Sequence, residues 1–147
     1  MQVAFRRATD RDIEEIARLE RSLFGVDAYS RSLLHYLLRN ADFFEVAVDE
    51  GRGLVVGYII GEVRGSVGHL ISIGVDRRYQ RRGIGSGLLG RFIGFLKERG
   101  VGKAYLEVSV NNSQAVRFYE KHGFRVLGRV GSYYSDGSDA YVMLLEL

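Results

Sequence analysis

The chain has 147 residues, 46% of them apolar and 27% charged, with neither cysteine nor proline. That composition fits a folded domain with its own core and excludes a disordered or fibrous chain; the lack of cysteine excludes thiolate nucleophiles, cysteine-ligated zinc, iron–sulfur clusters and disulfides. With 21 basic and 18 acidic residues scattered along the chain, the net charge of +3 is too small to imply direct nucleic-acid or membrane-surface binding.

The opening MQVAFRRATDRD turns charged too early for a signal peptide, and no apolar run approaches the roughly 20 residues of a membrane span, so a cytoplasmic location is expected. Gln2 to Arg6 reads as a short strand. Thr9 or Asp10 caps a helix in which Ile13, Ile16, Leu19 and Leu23 recur at helical spacing, and Ser30 caps a second with Leu33, Leu34, Leu37 and Leu38 on its buried face. Phe43 to Asp49 and Leu54 to Arg64 read as strands joined by the turn Glu50-Gly51-Arg52-Gly53. Val67 to Asp76 follows after Gly65-Ser66, and the three predict an antiparallel meander.

From Arg82 to Arg99 the set Ile84, Leu88, Leu89, Phe92, Ile93, Phe95 and Leu96 predicts a helix. It forms despite Gly85, Gly87, Gly90 and Gly94, each costing about 1 kcal/mol against alanine. Glycines near its start let a ligand reach backbone N–H groups, whereas Gly90 and Gly94, four apart, are expected to let the helix pack close to a sheet. Lys103 to Val110 reads as a strand, and Asn112 to His122 as a helix closed by Gly123. Phe124 to Val130 and Ala140 to Leu147 are strands flanking a polar loop. With no repeat or linker, residues 1–147 read as a single α/β or α+β domain.

The segment that points to chemistry is Gln80-Arg81-Arg82-Gly83-Ile84-Gly85, where an arginine-rich turn after a strand opens the glycine-rich helix. A helix start presents unpaired N–H groups and the positive end of its dipole, so an anion can lie against the glycines. The run is neither a Walker loop, since no Gly-Lys-Ser/Thr follows, nor a dinucleotide fingerprint. Taken alone, it reads equally as a phosphate cradle or an ordinary turn; the cluster Arg77, Arg78, Arg81 and Arg82 is either a solvated helix entry or a site for phosphate groups, with Arg77 and Arg78 read as a solvated turn.

A second segment carries Leu106-Glu107-Val108, Asn112, Ala115, Tyr119 and Gly123-Phe124. Together with Gln80-x-x-Gly83-x-Gly85 it resembles the GNAT superfamily of acetyl-CoA-dependent N-acetyltransferases. Four stretches narrow the resemblance to the RimI-type and archaeal protein N-terminal acetyltransferases and the catalytic subunit of the eukaryotic N-terminal acetyltransferase A. They are Phe24 to Ser30, Gly68-His69-Leu70-Ile71-Ser72-Ile73, Leu106-Glu107-Val108, and Tyr133-Tyr134-Ser135-Asp136-Gly137 with Asp139-Ala140-Tyr141.

The resemblance implies a mixed, mostly antiparallel seven-stranded sheet flanked by about four helices, splayed between the strands of His69 and Glu107, with acetyl-CoA in the opening. It places the cofactor's pyrophosphate on the N–H groups of Arg82, Gly83, Ile84, Gly85 and Ser86, beside Arg81. Its pantetheine would pair with Ile73, Gly74 and Val75, and its thiol end would lie near Asn112 and Tyr119. It implies acceptor walls at Phe24, Gly25, Val26 and Tyr29 and at Tyr133 and Tyr134. An α-amine has a pKa of about 7.7–8.0 and a lysine about 10.4, so an N-terminal acetyltransferase needs only a mild base. Glu107 is the candidate, directly or through a water held with His69; a backbone N–H would meet the oxyanion, and Tyr119 would hydrogen-bond or protonate the departing thiolate.

Each of these side chains also has a plain structural reading. Glu107 could be a solvent-facing strand residue, His69 a bonded core histidine, Tyr119 a core aromatic and the tyrosine pair a sheet cover. The chain departs from the pattern in having Gly25 where a proline often follows the aromatic. Asp27 is the nearest counterpart of an acidic residue that favours small N-terminal residues. Peptide or protein N-termini are the expected substrate. A small-molecule or lysine acetyltransferase and a non-catalytic acyl-CoA-binding module are the alternatives, and an auxiliary subunit or a homodimer is compatible with all three.

Overall fold

The computed structural model describes residues 2–147; Met1 lies outside them. Strands β1 (Val3–Arg7), β2 (Phe43–Asp49), β3 (Leu54–Arg64), β4 (Val67–Val75), β5 (Lys103–Ser109), β6 (Arg125–Val130) and β7 (Ala140–Glu146) form one sheet in the order β1-β2-β3-β4-β5-β7-β6. Helices α1 (Ile13–Phe24), α2 (Arg31–Asn40), α3 (Ile84–Glu98) and α4 (Ser113–Lys121) cover it. This is the mixed, mostly antiparallel sheet with four helices that the resemblance implied. No helix among the described residues is long and apolar enough to cross a membrane.

Alternation along the strands makes two cores. Phe44, Val46, Tyr58 and Ile60 pack with Ile13, Ile16, Leu34 and Leu37 of α1 and α2. Ala47, Ile59, Leu70, Leu106 and Met143 pack on the opposite face with Leu88, Phe92 and Leu96 of α3 and Tyr119 of α4. Ser30 caps α2 by accepting from Leu33 N–H at 3.2 Å, as expected. Leu33 itself is 39% exposed, because Leu34 and Leu37 take the buried stripe. Before α1 the chain makes a 3-10 turn over Asp10–Asp12, closed by Thr9 N–H donating to Asp12 at 2.8 Å, so the α-helix proper starts at Ile13.

The glycines of α3 do not all act as expected. A Cβ on Gly90 or Gly94 would meet nothing within 4 Å, so neither brings the helix to the sheet. The close approach is made by strand glycines instead. A Cβ on Gly61 would lie 2.3 Å from Phe92, and one on Gly68 2.5 Å from Leu96. Only Gly87 of the helix is comparably confined, its Cβ position lying 2.6 Å from Phe5 of β1.

The first four strands pair antiparallel in succession, which includes the predicted meander. β4 and β5 then run parallel, but only for Val67↔Lys103, Gly68↔Ala104 and His69↔Tyr105. Beyond His69, β4 follows β3 to Gly57↔Val75, while β5 follows β7 to Ser109↔Ala140. A bulge helps them part: Ile60 pairs with Ser72 and Gly61 with Leu70, which leaves Ile71 as the extra residue of β4. Bulges of this kind sharpen a strand's twist.

Candidate active site

At the foot of the splay, His69 Nε2 and Glu107 Oε1 lie 2.8 Å apart. Strand period and register produce the pairing. In β5, Ala104, Leu106 and Val108 are buried in the core under α3 and α4, which turns Tyr105, Glu107 and Ser109 to the opposite face. His69 sits level with Tyr105 across the parallel pair and level with Glu62 of β3 on its other side. The His69 ring stacks on Tyr105 at 4.4 Å with an interplanar angle of 11°. An ionised carboxylate only accepts, so Nε2–H of His69 donates to Glu107. His69 Nδ1 is buried without a hydrogen-bond partner among the described residues. Only one Glu107 oxygen takes this bond, which leaves the other as an acceptor.

The turn between β4 and α3 is organised before any ligand arrives. Asp76 accepts from Arg78 N–H at 2.9 Å and pairs with its guanidinium, while Arg77 donates to Ser22. Both arginines stay exposed to solvent while making these bonds, as expected of a solvated turn. Gln80 Nε2 donates to Val75 O at 3.0 Å, fastening the loop to the end of β4. Arg81 (φ 64°) and Gly83 (φ 82°) are both left-handed, and the Arg82 guanidinium lies 5.3 Å over the Tyr79 ring. The first helical bond of α3 is Gly87 N–H to Gly83 O, so the N–H groups of Ile84, Gly85 and Ser86 have no intrahelical acceptor. Successive N–H groups at a left-handed turn and a helix start make an anion cradle. Ser86 Oγ also contacts His122 Nε2 at 2.9 Å, and burial lowers the pKa of that imidazole.

Asn112 caps α4, its amide oxygen accepting from Ala115 N–H at 3.1 Å. Tyr119, 8% exposed, stands edge-on to Phe118 and Phe124. Burial, with a smaller contribution from Tyr134, holds its hydroxyl well above the usual phenol range.

On the opposite face, burial raises the pKa of the Tyr29, Tyr133 and Tyr134 hydroxyls, with the Glu107 carboxylate a smaller cause at each. Burial, followed by Glu20, pushes the Tyr29 pKa up to about 12. Tyr133 and Tyr134 meet edge-to-face at 4.8 Å, and both of their N–H groups donate to Ser138 O. The two loops are tied to each other, since Asp27 Oδ1 accepts from Ser135 N–H at 3.1 Å and Ser135 Oγ at 2.6 Å. Phe24 and Gly25 end α1 nearby, with Gly25 at φ 58°, and Val26 follows them, 86% exposed.

Tyr105 and Ser135 were not singled out from the sequence. Tyr105 was within reach, since it precedes Glu107 by one strand period; the Asp27–Ser135 contact, between residues 108 apart, has no local signal. A carboxylate held open by an imidazole, an anion cradle and a separated strand edge now stand together.

Residues 11–124 match the family model described as Acetyltransferase (GNAT) family. The chain belongs to that family. The acetyltransferase is 34% identical to an N-alpha-acetyltransferase of Sulfurisphaera tokodaii, across 97% of this chain and 92% of that protein. It is 37% identical to the ribosomal protein bS18-alanine N-acetyltransferase of Escherichia coli over 98 residues, 65% of this chain and 66% of that one. It superposes on the crystal structure of Ard1 from Thermoplasma volcanium with a TM-score of 0.91 at 31% identity, covering 99% of this chain and 97% of that one. The protein is an acetyl-CoA-dependent N-acyltransferase.

Proposed function

We propose that this enzyme acetylates the α-amino group of peptide or protein N-termini, with Glu107 as the general base. The observation that carries the reading is the His69–Glu107 pair at the foot of the splay, between the cradle of α3 and the tyrosines of the two loops. The residues fit acetyl-CoA: the N–H groups of Ile84, Gly85 and Ser86 suit its pyrophosphate, and the separated edge of β4 at Ile73, Gly74 and Val75 suits the amides of its pantetheine. Bound there, acetyl-CoA supplies the thioester carbonyl that an amine attacks and the thiol that leaves.

Glu107 takes the ammonium proton on the oxygen that His69 leaves open. At pH 7 roughly a tenth of an α-amine is already neutral, against only about a few ten-thousandths of a lysine, so a carboxylate base favours α-amines. Tyr119 keeps its proton. A thiol of pKa about 8.5 is a stronger acid than this buried phenol, so Tyr119 donates a hydrogen bond to the thiolate as the C–S bond breaks, and the thiolate takes up the second proton that the nitrogen sheds on becoming an amide. Tyr29, Tyr133 and Tyr134 give the acceptor peptide an aromatic wall with hydroxyls for its backbone. The relatives named for N-alpha and bS18-alanine acetylation support this substrate class.

The test is turnover of acetyl-CoA with peptides beginning Ser, Ala, Met-Leu and Met-Glu, each with an N-terminally blocked twin carrying an internal lysine. Acetylation of the free termini alone is expected, and the rank order reports the preferred first residue. Equal turnover of the blocked twins, or activity on free amines that longer peptides do not improve, would overturn the reading.

A further inference from the structure

Three carboxylates are buried among the described side chains, and two have evident local duties. Asp12 pairs with Arg6, and Asp49 holds the turn after β2 and accepts from Tyr79. Glu20, 1% exposed, lies inside the apolar stripe of α1, where Ile16 and Leu23 are its helical neighbours. Packing alone would favour leucine there, because burying a carboxylate is costly unless its oxygens are hydrogen-bonded.

Its oxygens are fully engaged, each by neutral donors from other elements. Oε1 accepts from Tyr29 N–H at 2.9 Å in the α1–α2 loop. Oε2 accepts from Ser72 Oγ of β4 at 2.7 Å and from the hydroxyl of Tyr58 of β3. Tyr29 in turn directs its hydroxyl to Ile71 O at 3.4 Å. Ile71 is the extra residue of the β4 bulge and Ser72 its neighbour, directly before Ile73, Gly74 and Val75. The acceptor loop and the splayed strand are thus fastened at two points, and Glu20 makes one bond to each side.

We propose that Glu20 is a positioning residue that sets the acceptor loop at Tyr29 against the bulged strand at Ser72. It thereby fixes the distance between the acceptor half of the site and its cofactor half. The proposal rests on the reading of the α1–α2 loop as an acceptor wall. Glu20 does not touch the reacting atoms; its effect passes through Tyr29 and β4.

The test compares Glu20→Met, which keeps apolar bulk but accepts no hydrogen bond, with Glu20→Gln. The Gln oxygen can still accept from Tyr29 N–H, while its amide group donates to the two hydroxyls. In Glu20→Met, loss of a charge-assisted bond predicts amide exchange about tenfold faster across residues 25–29 and an acceptor KM about tenfold higher, with acetyl-CoA Kd within about twofold. Glu20→Gln should recover both to within about threefold. Unchanged exchange in a folded Glu20→Met protein would overturn the proposal, as would equal losses of peptide and acetyl-CoA binding that Glu20→Gln does not recover. Should Glu20→Met fail to fold, Ser72→Ala carries the same prediction at about threefold in acceptor KM, and no change there would overturn it. The exchange readout needs no substrate, so a wild-type enzyme inactive on every peptide would refute the acceptor reading while the loop measurement still decides the role of Glu20.

Discussion

A glutamate on a sheet face open to solvent would change rotamer freely, and a base in motion is a poor base. Glu107, the base of the proposed reaction, is held by His69, and His69 by its stack on Tyr105, so two side chains that need not transfer protons themselves would aim the carboxylate. Glu107→Gln keeps the shape and removes the basicity. Steady-state kinetics should show kcat lower by about 10²–10⁴, with acetyl-CoA affinity by calorimetry unchanged within about twofold. Asp12 tests a different quantity. Burial pushes its pKa up, but the Arg6 guanidinium and the Thr9 N–H outweigh that, and the net shift is downward. A carboxyl lowered in the folded state stabilises fully above its unfolded pKa of about 3.9, and that contribution is lost as pH falls through the folded value. Asp12→Asn should therefore cost about 1–3 kcal/mol at pH 7 and distinctly less at pH 3, as read from urea melts at the two pH values.

At the scale of elements, α3 shows why a pattern of residues can be read correctly and its reason misread. The helical period of Ile84, Leu88, Phe92 and Leu96 was legible, as were all seven strands to within a residue or two. Which glycines let the helix approach was not, because the contact is between β3 and α3 and neither segment carries the other's address. Gly61→Ala places a methyl 2.3 Å from Phe92 between two packed layers and should cost about 1–3 kcal/mol. Gly90→Ala, in open space on the same helix, should instead add about 0.5–1 kcal/mol. Thermal melts of the pair decide between strand and helix as the place where glycine is needed. The same limit applies to the site. Strand period alone leaves Glu107 a solvent-facing residue and His69 a core histidine; it is the resemblance to a family's motifs that points to them and to the Gly83–Gly85 turn, whereas Glu20 is marked in the sequence by a charge on the apolar stripe of α1.

Across the whole molecule, the splay leaves backbone groups on β4 and N–H groups on α3 that a ligand can satisfy in the folded chain and not in the unfolded one. Such binding raises stability by about 2.7 kcal/mol at one hundred times Kd, which for a chain of this length is a Tm rise of roughly 5–10 °C. Acetyl-CoA should produce that shift in the wild-type protein. Gly85→Asp, whose Cβ meets Phe118 only at an ordinary 3.4 Å, should fold and yet lose the shift, because a carboxylate then faces the phosphates. An undiminished shift in the variant would place the pyrophosphate elsewhere.

The three register pairs between β4 and β5 compare with eight between β3 and β4 and seven between β5 and β7. Those few pairs join the amino-terminal half of the sheet to the carboxy-terminal half, and His69 and Glu107 sit on opposite sides of the join. Although the core under α3 spans both halves, a join with so few backbone pairs opens locally more readily than the long ladders on either side of it. Heat should therefore abolish turnover before it melts either half-sheet, so inactivation precedes the loss of secondary structure.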